Sequence, residues 1–306
     1  MKTGIALSQR TALRLASTKG MSRDQWLLMR KQGIGSSDAA TAVGLNPYQS
    51  PLELWMIKTG REEHLPKIDP NDESHPTYWG HILEPIVAVH YTKRTGLKVR
   101  KTNAILQHPD PDKAWMLANI DYSIVGNPDV QILECKTAGE FGSRLWRDGP
   151  PEYVQVQVQH QMAVTGRQVV DVCVLLHGQR IEIYRIARDE EVIARLVELE
   201  RHFWQYVVAD TPPPADGSES AGKALQALYP FDCGGTLDLS EDRTFSESFA
   251  DLVSVRAEIE ARKELEAQLK QRLQERMGEA SYARFATGTV SWKRNKAGSR
   301  RFVINP

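Results

Sequence analysis

Two periods of apolar spacing run along the chain, and the places where one gives way to the other mark out its elements. From Asp24 the run QWLLMRKQ has helical spacing and breaks at GIGSSDAATAVGLNPY, where Ser36, Ser37 or Asp38 can cap a short helix that Gly44 ends. SPLELWMIKTG is a second amphipathic helix starting at Ser50-Pro51 and closed by Gly60, whereas REEHLPKIDPNDESHP is polar and proline-rich and reads as a loop. YWGHILEPIVAVHYTKRTG returns to helical spacing, with Glu84 immediately before Pro85. LKVRKTNAILQ and AWMLANIDYSIV alternate as strands, GNPD makes a turn, and VQILECK is the return strand. The run from Pro151 to Gly166, PEYVQVQVQHQMAVTG, alternates locally at QVQVQ, yet its length, early proline and terminal glycine favour a helix. A strand pair turning at His177-Gly178-Gln179 follows, then a long amphipathic helix capped by Asp189.

TPPPADGSES breaks the composition and reads as a boundary. Beyond it lies a charged helix in which Leu252, Val255, Ile259, Leu265, Leu269 and Leu273 approximate a narrow apolar stripe. That stripe suits a coiled-coil seam or an arm lying on a neighbour, and equally a surface helix packed on its own domain. The expected organisation is an N-terminal extension over 1–22, a core over 23–210, a linker and weakly patterned segment over 211–245, and a charged helix with a basic β tail over 246–306.

Composition narrows the class without naming it. The 306 residues carry 39 basic and 39 acidic side chains, so a nucleic-acid surface must come from local segregation of charge. The tail from Ser281 supplies such segregation, with Arg284, Lys293, Arg294, Lys296, Arg300 and Arg301 and no acid. Cys135, Cys173 and Cys233 are scattered without CxxC spacing, against a zinc site, an iron–sulfur cluster or a disulfide scaffold, and the eight histidines show no ligand spacing. No apolar run is long enough to span a bilayer. The first twenty residues are basic, rich in Ser and Thr and free of acids, as in a transit peptide; with Met21 ahead of the organised sequence, they read rather as a loose extension.

The candidate chemistry lies in VQILECK. Strand periodicity puts Ile132, Glu134 and Lys136 on one face and Leu133 and Cys135 on the other. If Gly126 to Asp129 form a symmetric hairpin connection, Asp121 stands opposite Glu134, with Cβ atoms roughly 5 Å apart. Two carboxylates that close repel in a partly buried site, and a hard divalent cation with oxygen ligands relieves the conflict. Lys136 beside them can orient a water or stabilise charge on a phosphate.

Asp121 with Glu134-Cys135-Lys136 matches the PD-(D/E)XK nuclease signature. In order along the chain, RKQGIGSSD to Asp38, NPYQSPLELWMIKTG, WGHILEP to Pro85, ANID to Asp121, LECK to Lys136 and YVQVQVQHQMAVTG resemble the YqaJ-type viral recombinases, relatives of phage lambda exonuclease. The resemblance covers roughly 24–209. It implies an α/β, restriction-endonuclease-like core, a mixed central sheet flanked by helices, here followed by a helical arm and a short β segment. It also implies a Mg²⁺-dependent 5′ to 3′ exonuclease on linear double-stranded DNA, with Mn²⁺ able to substitute. Such an enzyme works in a bacterial cytoplasm, of phage or prophage origin, as a homo-oligomer (a trimer by family) beside a single-strand annealing protein.

By that match Asp121, Glu134 and the Cys135 main-chain carbonyl would be metal ligands, Glu84 an additional metal or water ligand, and Lys136 the catalytic lysine. Gln157 corresponds to the glutamine near the nucleophile; the double QVQ admits a two-residue slip, and QHQM with the following VTG selects Gln157. Arg30 and Ser37 match positions holding a terminal 5′-phosphate, and Asn119 stands where the lambda enzyme has a serine of that pocket. A PD-(D/E)XK endonuclease or repair nuclease is the enzymatic alternative, although the CRISPR-associated type often carries four clustered cysteines. A DNA-binding scaffold that keeps only the fold is the non-enzymatic one, against which the intact Asp121, Glu134 and Lys136 speak.

Overall fold

A computed structural model describes residues 12–67 and 69–306. Its strands and helices follow in the order β1 (Leu13–Ser17), α1 (Arg23–Arg30), α2 (Ser36–Ala42), α3 (Pro51–Lys58), α4 (Pro76–Thr95), β2 (Val99–Lys101), β3 (Ala104–Gln107), β4 (Leu117–Ala118), β5 (Tyr122–Ile124) and β6 (Ile132–Ala138). Then come α5 (Glu152–Thr165), β7 (Val169–Leu176), β8 (Arg180–Ala187), α6 (Glu190–Val208), α7 (Glu219–Leu228), α8 (Arg243–Met277), β9 (Tyr282–Phe285), β10 (Gly288–Arg294) and β11 (Arg300–Asn305). The chain divides into two compact units, 1–231 and 232–306.

The first unit is built on a five-stranded mixed sheet, β2-β5-β6-β7-β8, in which β6 and β7 are parallel and the other neighbours antiparallel. Strand β7 is apolar on both faces apart from Asp171, whose buried carboxylate Tyr91 and Arg185 satisfy, as suits a central strand with helices on each side. Val87, Ala88 and Tyr91 of α4 pack against Leu133, Cys173 and Leu175. On the opposite face Val154, Val158 and Met162, at i, i+4 and i+8 of α5, meet Ile132, Val172 and Val174. That spacing is why the QVQVQ run is a helix and not a strand. Two residues at positive φ, His177 and Gly178, close β7 on β8, with the Gln179 N–H donating to the Leu176 carbonyl at 3.1 Å.

Several expectations change here. LKVRKTNAILQ and AWMLANIDYSIV each divide between two sheets: β2 and β5 join the large sheet, while β3 and β4 join β1 in a second, three-stranded one. The chain therefore crosses between sheets just before β5, which leaves Asp121 at the seam. Part of the expected loose extension is strand β1, paired with β3; residues 1–11 lie outside the described residues. Helix α4 keeps the expected helical run and begins slightly earlier, at Pro76, with Pro85 inside it. Finally, α7 lies in the stretch expected as a linker and docks on α3, the Ser220 Oγ accepting from the Ser50 N–H at 2.8 Å and donating to Glu53 at 2.6 Å. The boundary consequently falls after Phe231 and not at 210.

In the second unit α8 is a single 35-residue helix, capped by the Asp242 side chain on the Phe245 N–H. Within this unit Leu252, Val255, Ile259, Leu265 and Leu269 are about half exposed, so most of the expected stripe is uncovered there. Strands β9 to β11 form an antiparallel sheet in the order β11-β10-β9. Val290 and Met277 are buried in this unit. Among the described residues no helix is long and apolar enough to cross a membrane.

Candidate active site

The register between β5 and β6 brings the site together. Tyr122 pairs with Leu133 and Ser123 with Ile132, so continuing the ladder by one residue sets Asp121 against Glu134, as the turn geometry requires. Asp121 has left the ladder, and its Oδ2 accepts the Cys135 N–H at 2.9 Å. Cys135 itself packs in the cluster on the α4 side, away from Glu134 and Lys136. Burial pushes the Asp121 carboxyl well up, and the charges of Glu134 and Glu84 push it further.

Glu134 is 3 % exposed, and side chains of α5 and β6 hold both its oxygens. Gln157 Nε2 donates to its Oε1 at 2.6 Å, and Gln161 Nε2 to its Oε2 at 2.8 Å. Lys136 Nζ stands 2.9 Å from Glu134 Oε1 and donates to Gln157 Oε1 at 2.8 Å. The Lys136 side chain, one-quarter exposed, thus has its ammonium aimed by two fixed acceptors. Burial alone would lower the lysine, but the charges of Glu134 and Asp121 outweigh it and hold its affinity for the proton above normal.

The α5 register answers the sequence ambiguity. Gln155 donates to the Pro150 carbonyl and Gln159 to the Ala187 carbonyl, leaving Gln157 as the glutamine of that run that touches Glu134 and Lys136. Sequence reasoning missed Gln161. The signal was present, because i and i+4 share a helix face. Gln161 is fully buried, also donates to the Asn119 carbonyl at 3.2 Å, and its Oε1 has no hydrogen-bond partner.

Among the described residues no three His, Cys, Asp or Glu side chains stand together as a metal-binding group. Glu84, expected as an additional ligand, lies close enough for its charge to press on Asp121 and accepts from Lys101 Nζ at 3.0 Å. The donor set is Asp121, Glu134 and the Cys135 carbonyl, with Glu84 nearby, all oxygen, and with a carboxyl that burial and like charge disfavour as an anion. Mg²⁺ binds commonly through one or two carboxylates and keeps several waters, so these residues fit it without a third carboxylate.

Arg30 and Ser37 form a second centre. Arg30 Nη2 donates to Ser37 Oγ at 2.7 Å and pairs closely with Asp38 Oδ1, while its guanidinium stacks 4.7 Å over Trp26. Sequence reasoning also missed Lys58: its buried Nζ lies 2.7 Å from Asp38 Oδ2 and 2.7 Å from the Arg30 carbonyl. Burial raises the Asp38 carboxyl, yet Arg30 and Lys58 together bring it down to about 2. Two cations against one carboxylate leave a net positive charge, and Ser36, next to Ser37 in the chain, has a buried Oγ with no hydrogen-bond partner. Asn119, expected in this pocket, shares no hydrogen bond with Arg30 or Ser37; its Nδ2 donates to the Ala104 carbonyl at 3.1 Å, tying the seam before β5 to β3.

One histidine is built into the frame. His160, between Gln157 and Gln161, is fully buried with Nδ1 2.7 Å from Glu200 Oε1 and Nε2 2.9 Å from the Leu117 carbonyl. Both ring nitrogens face oxygen atoms, an arrangement that favours the doubly protonated ring. Burial opposes that charge, but Glu200 and the carbonyl more than offset it and the imidazole is raised. The pair fixes α5 between α6 and β4.

Residues 25–168 match the model of the YqaJ-like viral recombinase domain. The uncharacterized protein YqaJ of Bacillus subtilis (strain 168) is 36% identical over 286 residues, covering 91% of this chain and 86% of that protein. The crystal structure of an alkaline exonuclease from Laribacter hongkongensis superposes with a TM-score of 0.50 at 21% identity, covering 61% of this chain and 93% of that one. At that identity the likeness is one of fold, a restriction-endonuclease-like core.

Proposed function

The chain belongs to the YqaJ-like viral recombinase family, and from that premise we propose that it is a Mg²⁺-dependent 5′ to 3′ exonuclease on linear double-stranded DNA, leaving 3′ single strands for annealing. The observation that carries the reading is Glu134, a buried carboxylate gripped by Gln157, Gln161 and Lys136 opposite a second carboxyl at Asp121. Holding Asp121 beside Glu134 is costly in a structural role, since burial and a neighbouring like charge both disfavour the Asp121 anion. Nuclease chemistry uses them all.

Asp121, Glu134 and the Cys135 carbonyl would hold the cation, with Mn²⁺ able to substitute. Bound there, it supplies a more acidic water and neutralises charge on the scissile phosphate. Lys136 is directed by Gln157 and Glu134, so its ammonium can orient the attacking water or meet the developing charge. The amide of Gln157 restricts that lysine to one position. Arg30, Ser37 and Lys58, net positive after Asp38 is counted, suit a terminal 5′-phosphate, with the guanidinium fork matching its oxygens. The family resemblance further supports action in a bacterial cytoplasm, with phage or prophage origin, a homotrimer and a single-strand annealing partner.

The test offers Mg²⁺ with linear duplex carrying or lacking a 5′-phosphate, and with a closed circle, to the wild type, Glu134→Ala and Lys136→Ala. Degradation of linear DNA from its 5′ ends, faster with the phosphate and lost in both variants, is the expected result. Cleavage of the circle points to the endonuclease alternative and removes the end-dependent reading. Full activity in both variants removes the site, and binding without hydrolysis by the wild type leaves only a scaffold.

A further inference from the structure

The C-terminal sheet opposes like charges without neutralising them. From Ser281 to Pro306 there are six cations and no acid. Register places Lys293 directly across from Arg301 and Arg294 across from Arg300. Like charges opposite one another destabilise an antiparallel pair. Two such pairs in succession need a reason.

For one pair the reason is internal. Arg300 donates to the carbonyls of Trp292, Gly278 and Ala280 at 3.0, 2.7 and 2.7 Å and stacks 3.6 Å over the Trp292 ring, while Arg294 reaches the Gly298 carbonyl. These two share a face with the buried Val290. The alternate positions, Tyr282, Arg284, Thr289, Ser291, Lys293 and Arg301, form the other face by strand periodicity. On it Arg284, Lys293 and Arg301 are exposed and have no carboxylate or hydrogen-bond partner among the described residues.

We propose that this face of β9, β10 and β11 binds the phosphate backbone of duplex DNA, independently of sequence. Cations at opposed positions with no carboxylate to neutralise them are relieved by an anion that presents several charges at short spacing, and each strand of a duplex carries one about every 3.4 Å along its axis. Arg284 lies opposite Thr289, four residues along β10 from Lys293, so the cations span roughly 14 Å, enough for several phosphates. Single-strand recognition needs open aromatic faces for base stacking. Tyr282, the aromatic side chain on this face, is covered by Lys293 Nζ at 4.1 Å from its ring centre. A major groove admits a helix or a two-stranded ribbon, so a three-stranded sheet meets the backbone from outside. The choice of duplex rests on the proposed nuclease reading; the anionic character of the ligand does not.

The test is binding of the full chain to a short duplex closed at both ends by hairpins, in chelator, at a series of salt concentrations. Closing the ends removes the contribution of a free 5′-phosphate. Arg284→Gln, Lys293→Gln and Arg301→Gln together should reduce the slope of log affinity against log salt by about 2.7, at about 0.9 for each phosphate no longer neutralised. Lys293→Gln alone should reduce it by about 0.9, which keeps the test decisive if the triple variant melts early by circular dichroism. Unchanged slopes overturn the proposal, as does a loss on oligo(dT) equal to or greater than that on the duplex. Hydrolysis with unchanged slopes refutes this inference and spares the nuclease reading; altered slopes without any hydrolysis do the reverse.

Discussion

Replacing Lys58 with methionine keeps the apolar stem and removes one of the two cations that hold Asp38 ionised. Asp38 is buried and sits at about 2 against an ordinary 3.8, because Arg30 and Lys58 overcome the upward push of burial. At about 1.36 kcal/mol per tenfold change in proton affinity, that difference contributes roughly 2 kcal/mol to folding. Since the folded value is depressed, the contribution is present above 3.8 and is lost as pH falls through the interval down to about 2. In Lys58→Met burial is opposed by Arg30 and the Gly35 N–H only, and the acid-sensitive part shrinks. Breaking a buried pair costs about 3–5 kcal/mol, so the variant should be that much less stable near neutral pH. Its gap to the wild type should then narrow by about 2 kcal/mol between about pH 5 and about pH 2. Urea unfolding followed by tryptophan fluorescence reads this well, since six of the seven tryptophans belong to the first unit. A gap that stays constant with pH, or a variant as stable as the wild type, would refute the reasoning.

Three further outcomes follow from the same geometry. Gln161→Met removes a buried donor to Glu134, a hydrogen bond to charge worth about 1.5–3 kcal/mol, and should lower DNA hydrolysis by roughly 10- to 100-fold; retained activity would make Gln161 a packing residue only. Adding Mg²⁺ should raise the thermal midpoint of the wild type and leave that of Asp121→Asn less affected, because the cation relieves repulsion between Asp121 and Glu134; equal shifts would place the cation elsewhere. His160, raised in the fold, contributes stability in full below 6.5 that is lost as pH rises through its folded value, so Glu200→Gln should flatten the stability profile above about pH 6.5, and an unaltered profile would show that the pair carries no charge.

Local sequence carries much of this site. The GNPD turn and strand alternation fix the Asp121–Glu134 register, and length with a terminal Gly166 identifies α5 despite its alternating run. The features that escaped depend on contacts between distant segments. Nothing local at Lys101-Thr102-Asn103 signals that the chain leaves one sheet for another, since both halves alternate alike. Lys58 reads as the polar end of α3 until α2 delivers Asp38 against it. Likewise, α7 follows a proline-rich break that looks like a boundary, and contacts with Ser50 and Glu53 far upstream, with Ala224 and Ala227 buried in the main core, make it part of the first unit.

The three cysteines differ sharply in their surroundings. Cys135 and Cys173 are register partners on the parallel strands β6 and β7, and burial raises both thiols, that of Cys173 to about 11. Cys233 is exposed, two residues past the end of the first unit. Because the thiolate is the reactive form, an alkylating reagent near neutral pH should modify the unaltered protein at one position. The natural sequence thus offers a single attachment point for a fluorophore, outside the nuclease fold, with no cysteine to add or remove.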